Sequence, residues 1–151
     1  MRIDVEVGGL DGAIRGLDEM PAAIEEARIS AMDEALEMTR IAIQFRTPIR
    51  TGKLMSAWET RQDVPGTKGV IFNKTDYAAP VEFGSRRHTI YPRFKKALFW
   101  PGARHPVKKV TIPARAGRHM GREGAAASIP GIIATFTRHM KRAISASFRL
   151  H

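Results

Sequence analysis

Residues 21–48 read PAAIEEARISAMDEALEMTRIAIQFRTP, and the architecture turns on this stretch. Ile24, Ala27, Ala31, Ala35, Met38, Ala42 and Phe45 recur every three or four residues, the spacing that lines up side chains on one face of an α-helix. Glu25, Glu26, Asp33, Glu34 and Glu37 fall largely off that stripe. Pro21 suits a first helical residue, because the N–H it lacks would have no partner there. Pro48 pushes Thr47 out of the α region and ends the helix. About 26 residues, rising about 1.5 Å each, make a rod of about 39 Å. Its alanine-rich face lets the backbone lie close to a sheet or a second helix, so the helix is read as core-facing.

On the N-terminal side, Ile3, Val5 and Val7 alternate with Arg2, Asp4 and Glu6, the pattern of a half-buried strand. Gly8-Gly9 ends it, and Leu10, Ile14 and Leu17 suggest a helical turn. On the C-terminal side, Thr51 is placed to cap a short helix from Gly52 that carries Leu54, Met55 and Trp58. Residues 59–64 and 70–73 flank a polar turn with two glycines, a hairpin signal. Pro80 argues against a central strand over 77–84. Strand-like pieces follow at 89–91, 97–100 and 108–112. Residues 114–127 turn to Gly, Ala and Arg and read as a mobile loop. A closing helix over 128–150, with Pro130 in its first turn, presents Ile129, Ile132, Ile133, Phe136, Met140, Ile144 and Phe148 on one face. Arg138, Lys141, Arg142 and Arg149 crowd its end, where the helix dipole favours cations. The order predicts an α+β fold, a small antiparallel sheet packed by a long N-terminal helix and a C-terminal helix.

The chain has 151 residues, a length that fits one domain over 1–151. Its apolar share of 43% and charged share of 26% are those of a globular protein. The absence of cysteine excludes disulfides, thiolate metal sites and cysteine nucleophiles. No apolar run reaches bilayer length, and the first residues do not read as a secretory leader, so no membrane partner and a cytoplasmic origin are expected. The net charge of +10 is unevenly placed. Residues 1–47 hold five Lys and Arg against ten Asp and Glu, whereas 48–151 hold twenty against five. So strong a split suggests a basic surface that meets something negative, either nucleic acid or the acidic third of a neighbouring copy. Head-to-tail rings need two such complementary faces. A solvated basic surface kept for solubility explains the same numbers.

Catalytic signatures are sparse. His88, His105, His119, His139 and His151 lack zinc-type spacing, and no cofactor is expected. No nucleophile elbow and no P-loop is present, and no enzyme activity is expected. Glu82, between Val81 and Phe83, reads either as a general base or, as the favoured alternative, as a carboxylate in a structural hydrogen bond or ion pair. Arg86, Arg87, Arg93, Lys95, Lys96, Arg104, Lys108 and Lys109 are interleaved with Tyr91, Phe94, Phe99 and Trp100, a composition suited to phosphate and bases. Period-two strands, however, usually turn aromatics inward, and no nucleic-acid-binding motif is visible.

Two motifs occur in succession. Pro48-x-x-Thr51-Gly52-Lys53-Leu54-x-x-x-Trp58 follows the long helix, and Tyr77-Ala78-Ala79-Pro80-Val81-Glu82-Phe83-Gly84-Ser85 continues into Ile90-Tyr91-Pro92-Arg93 and Lys95-Lys96-Ala97-Leu98-Phe99-Trp100. Over about residues 1–113 the chain resembles the tail-component family of long-tailed bacteriophages, the head–tail joining, neck or tail-completion proteins. Thr51, Gly52 and Leu54 match its T-G-x-L element; Tyr77, Ala78, Glu82, Phe83 and Gly84 match its Y-A-x-x-x-E-x-G element. After Ile112 the chain departs from the family's Pro-Gly and Pro-Phe pattern.

The resemblance implies a non-enzymatic virion protein, a hexameric or dodecameric ring between the portal-side connector and the tail tube through which DNA is ejected. Other neck, connector and tail tube proteins would be its partners, with nonspecific contact to DNA in transit. A minor head or stopper protein, or a nonspecific nucleic-acid-binding module, is the alternative. For a ring, the expected subunit contact sets Glu25, Glu26, Asp33 and Glu34 against Arg86, Arg87, Arg93, Lys95, Lys96, Lys108 and Lys109 of the next copy. Arg115, Arg118 and Arg122 are then expected near the lumen.

Overall fold

The computed structural model describes residues 2–3 and 22–148. The strand expected beyond Ile3, the turn with Leu10, Ile14 and Leu17, and Arg149 lie outside the described residues. The fold is α+β, and the chain divides into two compact units, residues 1–78 with 119–151, and residues 79–118.

In the first unit, α1 (Ala22–Arg46) is followed by the single turn α2 (Lys53–Ser56) and the hairpin of β2 (Trp58–Val64) and β3 (Lys68–Asn73). Strand β1 (Arg2–Ile3) completes an antiparallel sheet of order β1-β3-β2. Arg2 lies opposite Phe72, and Trp58 opposite Asn73. The register shifts between Gln62 and Val64, and the hairpin turn is tighter than expected, closed by Thr67 N–H on the Val64 carbonyl at 3.0 Å. Gly66 takes φ +66 in that turn, over the buried Arg28. The chain's closing helix, α4 (Met120–Phe148), packs along α1, and α1 also lies against β2 and β3.

The buried face of α1 is Ile24, Arg28, Ala31, Met32, Ala35, Leu36, Thr39 and Ile43. It is turned by about one residue from the expected stripe: Ala27, Met38 and Ala42 lie at its margin, and Phe45 is 90% exposed. Polar side chains stand within it because each finds a partner. Arg28 Nη2–H donates to Thr67 Oγ1 at 2.9 Å, and Thr39 Oγ1–H to the Ala35 carbonyl at 2.8 Å.

Helix α4 begins at Met120, so residues 120–127 are helical and not the expected loop. After the buried Met120 its inward positions are small, Gly121, Gly124 and Ser128. A Cβ on Gly124 would stand 2.7 Å from Ile43 Cα, so the glycine is what allows the two backbones to approach. Pro130 sits inside the helix, not at its start, on the exposed side next to the exposed Ile129. The helix buries Ile132, Phe136 and Ala143 but leaves Ile129, Ile133 and Ile144 exposed, so the expected single apolar face is split.

The second unit is a run of short antiparallel pairs. Helix α3 (Ala78–Phe83) leads into β4 (Gly84–Ser85), which pairs with β7 (Arg115–Ala116). Next inward, β5 (His88–Ile90) pairs with β6 (Val110–Ile112), and Leu98 bridges Val107. The expected strand over 97–100 is reduced to that one bridge. Pro80 is accommodated because it lies in the first turn of α3, where its missing N–H would bond nothing.

Candidate functional site

Residues of the first motif are structural supports. Gly52 caps α2 with φ +76, a conformation that glycine adopts without strain, and no side chain caps the helix, so Thr51 is not the cap. Thr51 is exposed and Leu54 buried. Asn73 Nδ2–H donates to the Leu54 carbonyl at 2.9 Å, and Gln44 Nε2–H to the Met55 carbonyl at 2.9 Å. Trp58 opens β2 and is not part of the short helix. Its Nε1–H donates to Thr47 Oγ1 at 3.0 Å, and Thr47 Oγ1–H donates to the Ile43 carbonyl at 2.9 Å. The indole thereby fixes the exit from α1, with its own donor satisfied as burial requires.

In the second motif Ala78 and Glu82 are buried, whereas Tyr77 and Phe83 are exposed. Gly84 has φ +85, and a Cβ there would stand 2.4 Å from the Arg115 carbonyl oxygen. Gly117 answers it: a Cβ on that residue would meet the Glu82 carbonyl oxygen at 2.3 Å. The close backbone crossing, completed by Arg118 N–H on the Val81 carbonyl at 2.8 Å, explains the terminal glycine of the motif. Gly117 was not legible as its counterpart, since nothing in sequence pairs positions 33 residues apart.

The four carboxylates expected at a subunit contact have unequal surroundings. Glu25 and Glu26 are exposed at the start of α1. Asp33 accepts from Gln62 Nε2–H at 2.6 Å, and the same amide reaches the Ile29 carbonyl at 3.0 Å. Glu34 is bonded by Arg138 and by His139, the latter at 2.8 Å, which joins α1 to α4. The Arg138 hydrogen bond, then that of His139, holds the Glu34 carboxyl below the usual glutamate value. Glu37, not among the expected four, pairs with Arg40 along the same helix.

The expected basic partners Arg86, Arg87, Arg93, Lys95, Lys96, Lys108 and Lys109 are all exposed, and Arg104 with them. Arg115 and Arg118 belong to the same 79–118 unit, whereas Arg122 is exposed on α4. The aromatics among them do not point inward: Phe94 is 97% exposed, and Tyr91, Phe99 and Trp100 are exposed as well. Period-two burial presumes a sheet face with a layer over it, and ladders of two and three residues provide none. Residues 79–118 bury one side chain, that of Glu82. The site is thus a basic, aromatic surface. Among the described residues no three His, Asp or Glu side chains gather as metal ligands would, and no helix is long and apolar enough to cross a membrane.

Compared with known proteins, residues 11–84 match the model of the family described as "Bacteriophage HK97-gp10, putative tail-component". No curated protein and no solved structure matches the chain. The matched segment contains α1, the Gly52 cap with Leu54 and Trp58, the hairpin, and the motif ending at Gly84. Through residues 11–84, just under half of its length, the chain is similar to a family of bacteriophage tail components.

Proposed function

We propose that this protein is a structural, non-catalytic virion component that forms a ring at the phage head–tail junction. In that place it acts as a neck, tail-completion or tail-terminator subunit between the portal-side connector and the tail tube, and DNA passes through it. The family match over residues 11–84 carries the reading. The 79–118 unit supports it: short ladders with their aromatics in water are marginal alone, and a head-to-tail ring needs a face on each copy that meets a different face of the next.

Electron microscopy of the purified full-length protein is the test. Two-dimensional class averages are expected to show closed rings with a central hole, and immunogold labelling should mark one point on each virion, between head and tail. A protein that stays monomeric at every concentration and is missing from finished particles overturns the reading.

The ten Lys and Arg of 79–118, set among exposed aromatics, favour nucleic-acid binding as a second reading. It requires that the isolated monomer bind DNA with an affinity falling steeply as salt rises.

A further inference from the structure

The 79–118 unit holds ten of the 25 Lys and Arg and one of the fifteen Asp and Glu, so nearly all of the net charge of +10 resides on it. Its aromatics cluster between cations, Tyr91 and Phe94 beside Arg93, and Phe99 and Trp100 after Lys95 and Lys96. Exposed aromatics grouped within ten residues on a ribbon without a core have the composition of an interface centre, which is rich in Tyr, Trp, Phe and Arg.

The first unit carries a face of complementary design. Between residues 22 and 39 the sole cation of α1, Arg28, is buried, whereas Glu25, Glu26, Asp33, Glu34 and Glu37 are exposed. One helical turn beyond Glu37 the same row becomes apolar, with Ile41 46% and Phe45 90% exposed at four-residue steps, and Ile49 follows at 71%. The acidic turns of α1 and the apolar row after them, beside which Arg46 is also exposed, complement the interleaved cations and aromatics of 79–118.

From this match we infer that the 79–118 ribbon of one copy docks on the outer face of α1 in a second copy. Phe94, Phe99 and Trp100 cover Ile41, Phe45 and Ile49, and the flanking cations lie along the acidic turns. The inference rests on the ring reading above and names its contact. Aromatic burial supplies the affinity, because exposed charge pairs contribute little and Asp33, Glu34 and Glu37 already have partners within their own chain. The charges set orientation and encounter rate. A DNA duplex would satisfy the cations but offers no apolar patch for these side chains.

The chain has no cysteine, so introduced cysteines report one contact each. Full-length Phe45→Cys and Phe99→Cys chains, mixed and mildly oxidised, are expected to give a covalent dimer of one chain of each kind. Ser145→Cys mixed with Phe99→Cys should give none. The Phe94→Ser/Phe99→Ser/Trp100→Ser chain should keep its thermal midpoint and self-associate about tenfold or more weakly in sedimentation velocity. Rings that form without the 45–99 cross-link overturn the contact and leave the ring standing. Absence of association at every concentration removes both. A cross-link confined within a single Phe45→Cys/Phe99→Cys chain, or loss of single-stranded DNA affinity with association unchanged, also overturns it.

Discussion

The first unit and residues 79–118 treat their apolar side chains in opposite ways. In the first, Ile43, Ile71 and Met120 are fully buried, and Trp58 nearly so. In the second the large aromatics are exposed and the lone buried side chain is a carboxylate, Glu82. The first unit has a core that can hold a fold, since apolar burial is the main favourable term in stability. The second has paired backbone and an unused apolar surface, so most of what it has to offer lies in what it touches.

The contrast predicts large stability effects in the first unit. Trp58→Ala removes a buried indole that also caps the Thr47 hydroxyl, and should destabilise the protein by about 3–5 kcal/mol in urea unfolding. Trp58→Phe keeps much of the volume and should lose about 1–2 kcal/mol. Next comes Gly124→Ala. A helical Gly→Ala change ordinarily stabilises by up to about 1 kcal/mol. Here the new methyl would press on Ile43 backbone atoms at 2.7 and 2.9 Å, so a loss of about 1–3 kcal/mol is expected instead. Gly131→Ala is the control, because its methyl would meet only the flexible Met38 side chain. Stabilisation by Gly124→Ala would show that α1 and α4 do not approach so closely.

These sites also mark where sequence reasoning ran out. The existence and length of α1 were legible from its period and prolines, and so was the hairpin. Which face it buries was not, because Arg28, Thr39 and Thr47 are polar and sit inward on hydrogen bonds made to Thr67, the Ala35 carbonyl and Trp58. The start of α4 was hidden by Gly121 and Gly124, whose low helix propensity reads as a loop, although the approach to Ile43 requires the glycine at 124. Of the surface features, the basic clusters were plain in the composition. The exposure of Phe94 and Phe99 was not, because alternation in sequence says nothing about whether a second layer exists.

A smaller effect concerns the link between α1 and α4. Glu34 is titrated below its usual value chiefly by the Arg138 hydrogen bond. With the folded value depressed, its contribution is complete above the unfolded-state value of about 4.3 and is lost as pH falls through the folded one. The thermal midpoint of Glu34→Gln should therefore lie below that of the unmodified chain at neutral pH and converge with it as the pH drops through and below about 4. The gap should also shrink in high salt, because Glu34 is exposed and such pairs are screened. A constant gap across pH would mean that packing, not charge, makes the contribution.

The smallest effect on stability is expected where the side chain is largest and least covered. Phe94→Ser removes an entire phenyl ring, a change that costs about 3–5 kcal/mol in a core when made to alanine. At 97% exposure the ring has almost nothing to lose on unfolding, so the change should stay within about 0.5 kcal/mol in the dissociated chain. The same comparison made on assembled protein should give a clear loss, since only there would the ring be covered. Equal, near-zero shifts in both states would show that Phe94 touches nothing in the assembly, and a large shift in the dissociated chain would show that the 79–118 unit owns a core after all.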